Sequence, residues 1–175
     1  MAIINLNNNS LLDVTELPSG ISGQNYPAFS VKLTSSQTVT NNTNTKIQFN
    51  SEIIDTDSAF DSTTNYRFTV PSGKAGKYFI TGGATGFATI TGNLNYFRVH
   101  IYKNGTLTTS SEQNSTSGSG FDYVSANTSI ILDLAENDYV ELYVLVRYFS
   151  AATVVIVGDN YLNGLTNFSG YRIGA

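Results

Sequence analysis

The stretch 96–103 alternates without a break. Phe97, Val99 and Ile101 fall on one side, Tyr96, Arg98, His100 and Tyr102 on the other. A period of two sets one row against a core and turns the other outward, which a strand satisfies and a helix cannot. The same rhythm recurs along most of the chain. Phe29, Val31 and Leu33 alternate with Ala28, Ser30 and Lys32; Ile47 and Phe49 with Lys46 and Gln48; Tyr66, Phe68 and Val70 with Arg67 and Thr69. Further on, Ile130, Leu132 and Leu134 form one row, and Val140, Leu142, Val144 and Val146 another. No stretch carries the spacing of an amphipathic helix. Turns are predicted at Pro71-Ser72-Gly73, Gly82-Gly83, Gly92-Asn93, Asn104-Gly105 and Gly158-Asp159-Asn160. Two polar stretches, 34–45 and 106–120, read as loops. Many short strands divided by turns imply an all-β sandwich or barrel.

Composition narrows the function classes. Asn, Ser and Thr make up about a third of the 175 residues, and charged residues only 13%, about half the usual share of roughly 25%. There is no cysteine, which removes disulfides, thiolate metal sites and thiol catalysis. With 9 basic and 13 acidic residues the net charge is -4, and no basic stripe suits a nucleic-acid backbone. The longest apolar run, Val154-Val155-Ile156-Val157, is far shorter than the roughly 20 residues of a spanning helix. No membrane partner is expected. The opening Met1-Ala2-Ile3-Ile4-Asn5 lacks the basic and apolar regions of a secretory signal, so synthesis in the cytoplasm is expected, unless a signal has been removed.

Candidate chemistry is sparse. The single histidine, His100, would have to serve any serine triad as base, yet no Gly-x-Ser-x-Gly turn presents a nucleophile. A surface or interface role is expected for it instead. Ser72-Gly73-Lys74-Ala75-Gly76-Lys77 lacks Walker spacing and leads into a strand, so it reads as a turn. Glu52, Asp55, Asp57 and Asp61 could offer oxygens to Ca²⁺, but without EF-hand spacing; the plainer reading is carboxylates that cap turns. We expect no catalytic residue, metal or cofactor. Spacing leaves open a carboxylate pair for glycoside cleavage among the thirteen acids. The six Asn-x-Ser/Thr sites are what so Ser/Thr-rich a chain produces by chance.

Residues 1–25 differ from the rest. They hold eight aliphatics (Ile3, Ile4, Leu6, Leu11, Leu12, Val14, Leu17 and Ile21) with no aromatic and no basic residue. Neither a strand nor a helix period orders them. We expect an arm over 1–25 and one domain over 26–175. An arm this apolar, when ordered, docks on its own domain or on a neighbour.

The order of aromatics and turn residues then resembles a C1q/TNF-like domain. Pro27-Ala28-Phe29-Ser30-Val31 opens it. Phe49, Asp55, Phe60, Phe68, Gly76 and Tyr78 follow in the family's order, with Ile80 where the last aromatic of Gly-x-Tyr-x-Phe is usual. Asp138-Tyr139-Val140-Glu141-Leu142 is similar to the family's Gly-Asp-x-Val-x-Leu, with Asn137 in the glycine's place, and Asn167-Phe168-Ser169-Gly170-Tyr171 closes the pattern. The resemblance implies a ten-stranded jelly roll, a homotrimer, and function carried by surfaces rather than catalysis. It implies Phe29, Tyr78 and Tyr171 at the trimer axis. The run from Phe68 to Tyr78 is similar to C1q-like structural proteins of bacteriophage virions. From that follows the expectation of a trimeric capsid decoration or cement protein on the outer surface of a virion. Its arm (Ile3, Ile4, Leu6, Leu11, Leu12, Val14, Leu17) would grip the major capsid protein or another virion protein. The alternative is the tip of a tail fibre binding a receptor or surface glycan through Tyr96, Tyr102, Phe121, Tyr123 and Tyr148.

Overall fold

A computed structural model describes residues 26–115, 120–149, 152–159 and 166–174. The arm, including its seven candidate attachment residues, lies outside the described residues. The described residues form thirteen strands: β1 (Ala28–Lys32), β2 (Gln37–Val39), β3 (Thr45–Lys46), β4 (Ser51–Asp55), β5 (Phe60–Asp61), β6 (Arg67–Thr69), β7 (Gly76–Ala88), β8 (Leu94–Lys103), β9 (Thr106–Asn114), β10 (Tyr123–Leu134), β11 (Tyr139–Tyr148), β12 (Val154–Ile156) and β13 (Asn167–Gly174). Several pieces of two or three residues raise the count above ten. All pairings are antiparallel, in two sheets that share one core, the jelly-roll sandwich expected.

The seven-stranded sheet is built on β7, whose 13 residues allow it three neighbours. It takes β10 along one side; on the other it takes β13 over its first half and β12 over its last residues. Beyond β13 lie β1 and then β4, and beyond β12 lies β2. The six-stranded sheet runs β5-β6-β11-β8-β9, with β3 also against β11.

The family-like aromatics meet in one cluster. Phe29 stacks on Phe68 at 4.6 Å and Phe60 at 5.6 Å and meets Phe168 edge-on at 5.1 Å. Phe49 stacks on Phe168 at 6.0 Å, and Tyr78 tilts against Phe68 at 5.8 Å. Such pairs add roughly 0.5–1.5 kcal/mol each to what their burial provides. Asn137 has φ +67, the left-handed region that glycine and asparagine enter most readily, which accounts for both residue types at that post. Asp138 beside it accepts from Ala135 N at 2.8 Å, Lys103 Nζ at 2.8 Å and Asn104 Nδ2 at 2.6 Å, tying two turns together.

Several local expectations are corrected. Gly82-Gly83 is no turn but the middle of β7. A Cβ on Gly82 would lie 2.6 Å from Leu142 Cδ1, so the glycine lets the facing sheet approach. Stretch 106–120 is not simply a loop: Thr106–Asn114 is β9, paired with β8 along its length. Its side chains show no clean alternation because β9 is an edge strand, held by backbone bonds rather than by a buried face. Within 34–45, Gln37–Val39 pairs with β12. Tyr66 leaves the row of Phe68 and Val70, sitting at φ +51 before β6. Asn104-Gly105, by contrast, is the predicted turn: both residues have positive φ (50° and 75°), which suits the right-handed twist of the β8–β9 hairpin.

Candidate functional site

The alternation that builds the core also builds two outward faces. On the seven-stranded sheet, β7 presents Phe79, Thr81, Gly83, Thr85 and Phe87. Across from them β10 presents Ile131, Ser129, Asn127, Ser125 and Tyr123, and β13 presents Tyr171, Ser169 and Asn167. A belt of hydroxyls and amides therefore crosses the centre, with apolar side chains at both ends. At one end Phe79 and Tyr171 meet at 5.7 Å beside Ile131, with Ile54 outward on β4; Ile131 is 60% and Ile54 50% exposed. At the other end Phe87 stacks on Tyr123 at 4.5 Å. Within the belt Ser169 Oγ donates to Ser30 Oγ at 3.0 Å. Charges lie only at the margins, as in the Lys32–Asp159 and Lys77–Asp133 neighbours.

The expected axis residues divide on this geometry. Tyr171 points outward and is 40% exposed. Phe29 and Tyr78 do not reach the surface. Both are buried in the protomer's own core, and Tyr78 donates its hydroxyl to Lys74 O at 2.6 Å, so its pKa is pushed up to about 12 by burial. Sitting on an axis-lining strand was the signal, but the parity of each residue decides which face it serves. The residues that do share Tyr171's side, Phe79 and Ile131, are one step out of phase with Tyr78 and Ile130.

The six-stranded sheet has a different outward face. β8 contributes Tyr96, Arg98, His100 and Tyr102, and β11 contributes Arg147, Leu145, Tyr143, Glu141 and Tyr139. Tyr102 and Tyr143 lie 4.6 Å apart. Arg67 stacks on Tyr139 at 4.1 Å, and both Arg98 and Arg147 lie over Tyr96, at 5.1 and 5.3 Å. Buried Glu141 holds Lys46 Nζ at 2.5 Å. Of the proposed sugar-stacking set, only Tyr96 and Tyr102 belong to this face. Tyr123 is on the opposite one, while Tyr148 and Phe121 pack partly against the core.

His100 is not on the surface as expected. It points outward from β8 yet is only 2% exposed, covered by its neighbours on β8, β9 and β11. Neither ring nitrogen has a hydrogen-bond partner among the described residues, so no serine–histidine pair is assembled. Burial, helped by nearby Arg98, pushes its pKa down to about 4. Three of the four carboxylates considered for Ca²⁺ are engaged by hydrogen-bond donors. Asp55 takes the amides of Ala59 and Phe60, both at 2.9 Å, and Glu52 takes Ser62 Oγ at 2.5 Å. Asp61 takes the amides of Thr63, Thr64 and Asn65 at 2.8–3.0 Å, which hold its pKa far below the usual carboxylate range. Among the described residues no three metal-ligating side chains converge, and no helix is long and apolar enough to cross a membrane.

Comparison with known proteins places this architecture. The family model for the C1q domain matches residues 28–173. Among solved structures, the chain is similar to the globular domain of zebrafish complement 1qA protein, at 19% identity and a TM-score of 0.53, over 84% of this chain and 97% of that one. It is similar in fold to Eiger TNF from S. frugiperda, at 10% identity and a TM-score of 0.58, over 84% and 92% of the two chains. No curated protein matches it in sequence. C1q/TNF domains are generally non-enzymatic and typically self-associate as trimers. With the family model spanning the chain from the start of β1 into β13, the chain belongs to the C1q domain family.

Proposed function

We propose that the protein is a non-enzymatic, homotrimeric structural component of a bacteriophage virion, a capsid decoration or cement protein. The observation that carries the assembly is the outward face of the seven-stranded sheet. Its apolar ends, Phe79–Tyr171–Ile131–Ile54 and Phe87–Tyr123, would otherwise stay wet, and its centre holds neutral donors and acceptors that can pair across an interface. The virion reading is supported by the likeness of the run Phe68 to Tyr78 to phage C1q-like proteins and by the apolar arm. Burying an aliphatic gains about 1.5–3 kcal/mol, while ordering backbone costs roughly 1–2 kcal/mol per residue, so a single arm with eight aliphatics breaks even only when about a dozen of its residues become ordered. Three arms on one trimer act together, and avidity makes the attachment tight.

Light scattering of the full chain should give about 57 kDa, three times the chain mass. A persistent 18.9 kDa species at micromolar concentration overturns the trimer. Deleting residues 1–25 should leave the trimer intact and abolish binding to particles stripped of the native protein. Undiminished binding would move attachment onto the jelly roll. The second reading, a receptor- or glycan-binding fibre tip, is favoured by the tyrosine–arginine face of the six-stranded sheet.

A further inference from the structure

We propose that the outward face of the six-stranded sheet carries a binding site for a carboxylate-bearing carbohydrate, centred on Tyr96, Arg98 and Arg147. The proposal rests on the reading that the seven-stranded face closes the assembly, which leaves this face to solvent.

Cross-strand register creates the site. Tyr96 on β8 faces Arg147 on β11, and Arg98 stands two residues along the same side of β8. The two guanidinium groups flank the Tyr96 ring at 5.1 and 5.3 Å, so the ring and two positive charges form one surface. Arg147 is anchored through Nε, which donates to Asn42 Oδ1 at 3.0 Å, while its two terminal amino groups have no hydrogen-bond partner among the described residues. A guanidinium held by its stem with its fork free is suited to a planar carboxylate. Glu112 on β9 already accepts from Arg98 Nε and Tyr96 Oη, each at 3.0 Å. It shows that the site accommodates a carboxylate, and it is also the ligand's internal competitor.

Two further features select the occupant. Of the exposed large aliphatics in the described strands, only Leu107 lies in this sheet, with the aromatic Phe149 just beyond β11, whereas Ile53, Ile54, Ile131 and Ile173 lie in the other. An acidic sugar uses everything this face offers: ring faces for its C–H groups, donors for its hydroxyl oxygens and a guanidinium fork for its carboxylate. The stacking surface also continues. From Tyr96 to the Tyr102–Tyr143 pair the strand runs on the order of 13–20 Å, room for several linked rings. Around Tyr96 the two guanidiniums outnumber the one carboxylate, Glu112, which pairs with Arg98, so a positive charge remains at Arg147 in a protein of net charge -4 and attracts an acidic chain.

The test uses the full chain and an oligomer of galacturonic acid, its neutral methyl ester, and poly-glutamate of equal charge, with binding followed by calorimetry at two salt concentrations. The acidic sugar should bind at least about ten-fold more tightly than either control, and more weakly at high salt. Arg147→Gln and Tyr96→Ala should each weaken it about ten-fold or more, while Glu112→Gln, which removes the competitor, should tighten it. Equal binding of the ester or of poly-glutamate, or unchanged affinity in Arg147→Gln, overturns the site. Arg147 is exposed, so that variant folds. Scattering in the same buffer reports the trimer separately: a monomer that still binds the acid would overturn the assembly reading alone.

Discussion

The two outward faces are made by the same alternation, from the same number of layers, yet they are chemically opposite. The seven-stranded face is uncharged across its middle and apolar at its ends. The six-stranded face is a lattice of tyrosines, guanidiniums and paired carboxylates. The first has the chemistry of a surface that meets neutral protein; the second has that of one that meets water and charged solutes. The difference is written in the outward rows alone, since both sheets spend their inward rows on one shared core. A jelly roll can therefore assemble on one side and recognise on the other without either task disturbing the packing between them.

That separation can be broken wholesale from the core. Phe168 touches Phe29, Phe49 and Phe60, which come from different parts of the sandwich. Phe168→Ala should cost about 3–5 kcal/mol. Thermal unfolding followed by scattering and by ligand binding should show both faces failing together. Failure of one face at an unchanged melting temperature would mean that the sheets are not one cooperative unit.

A smaller effect should separate the faces by pH. His100 keeps a neutral ring under the six-stranded face, with its pKa lowered to about 4 against roughly 6.5 in an unfolded chain. Because the folded value is the lower one, its contribution is complete above about pH 6.5. It is lost progressively as the pH falls towards 4, amounting to roughly 3 kcal/mol. The groups around it on that face are Arg98, Tyr102 and Tyr143, with Ser110 across on β9. Denaturant melts of His100→Phe should lose most of the slope between pH 6.5 and 5. An unchanged slope would place the acid sensitivity elsewhere. The carboxylates of Asp61, Glu112 and Asp138, whose pKa values are lowered by their hydrogen bonds, begin to lose their contribution only below about pH 5, so the slope between pH 6.5 and 5 belongs to His100.

The smallest effect belongs to the edge of the same sheet. Asp61 pairs across from Arg67 and gathers the amides of its own loop. Asp61→Asn should cost about 1 kcal/mol, with the mass in solution unchanged and hydrogen exchange raised only over residues 61–67. A change in oligomeric state would contradict the independence of the two faces.

Much of this was legible in the residues. Phe97, Val99 and Ile101, and Val140 to Val146, are buried as their period demands, because a buried row leaves a strong periodic trace. Asn104-Gly105 turns where expected, because the αL backbone there favours that pair. Strand β9 was missed because an edge strand has no obligatory apolar row. Gly82-Gly83 misled because the same small residues serve a tight turn and a close sheet contact.

By itself the sequence determined the strand-rich class, the apolar rows and the ordered aromatics that form the core, since these follow from local periodicity and side-chain type. It also contained every residue of both faces, one step out of phase with the core. Tertiary structure alone decided that Phe79, Ile131 and Tyr171 would stand together, that Tyr96 would lie between Arg98 and Arg147, and that an outward histidine would be covered. These depend on register between strands far apart in the chain, such as β7 with β13 and β8 with β11. Register is set by the sum of long-range packing and backbone pairing rather than by any segment's own pattern.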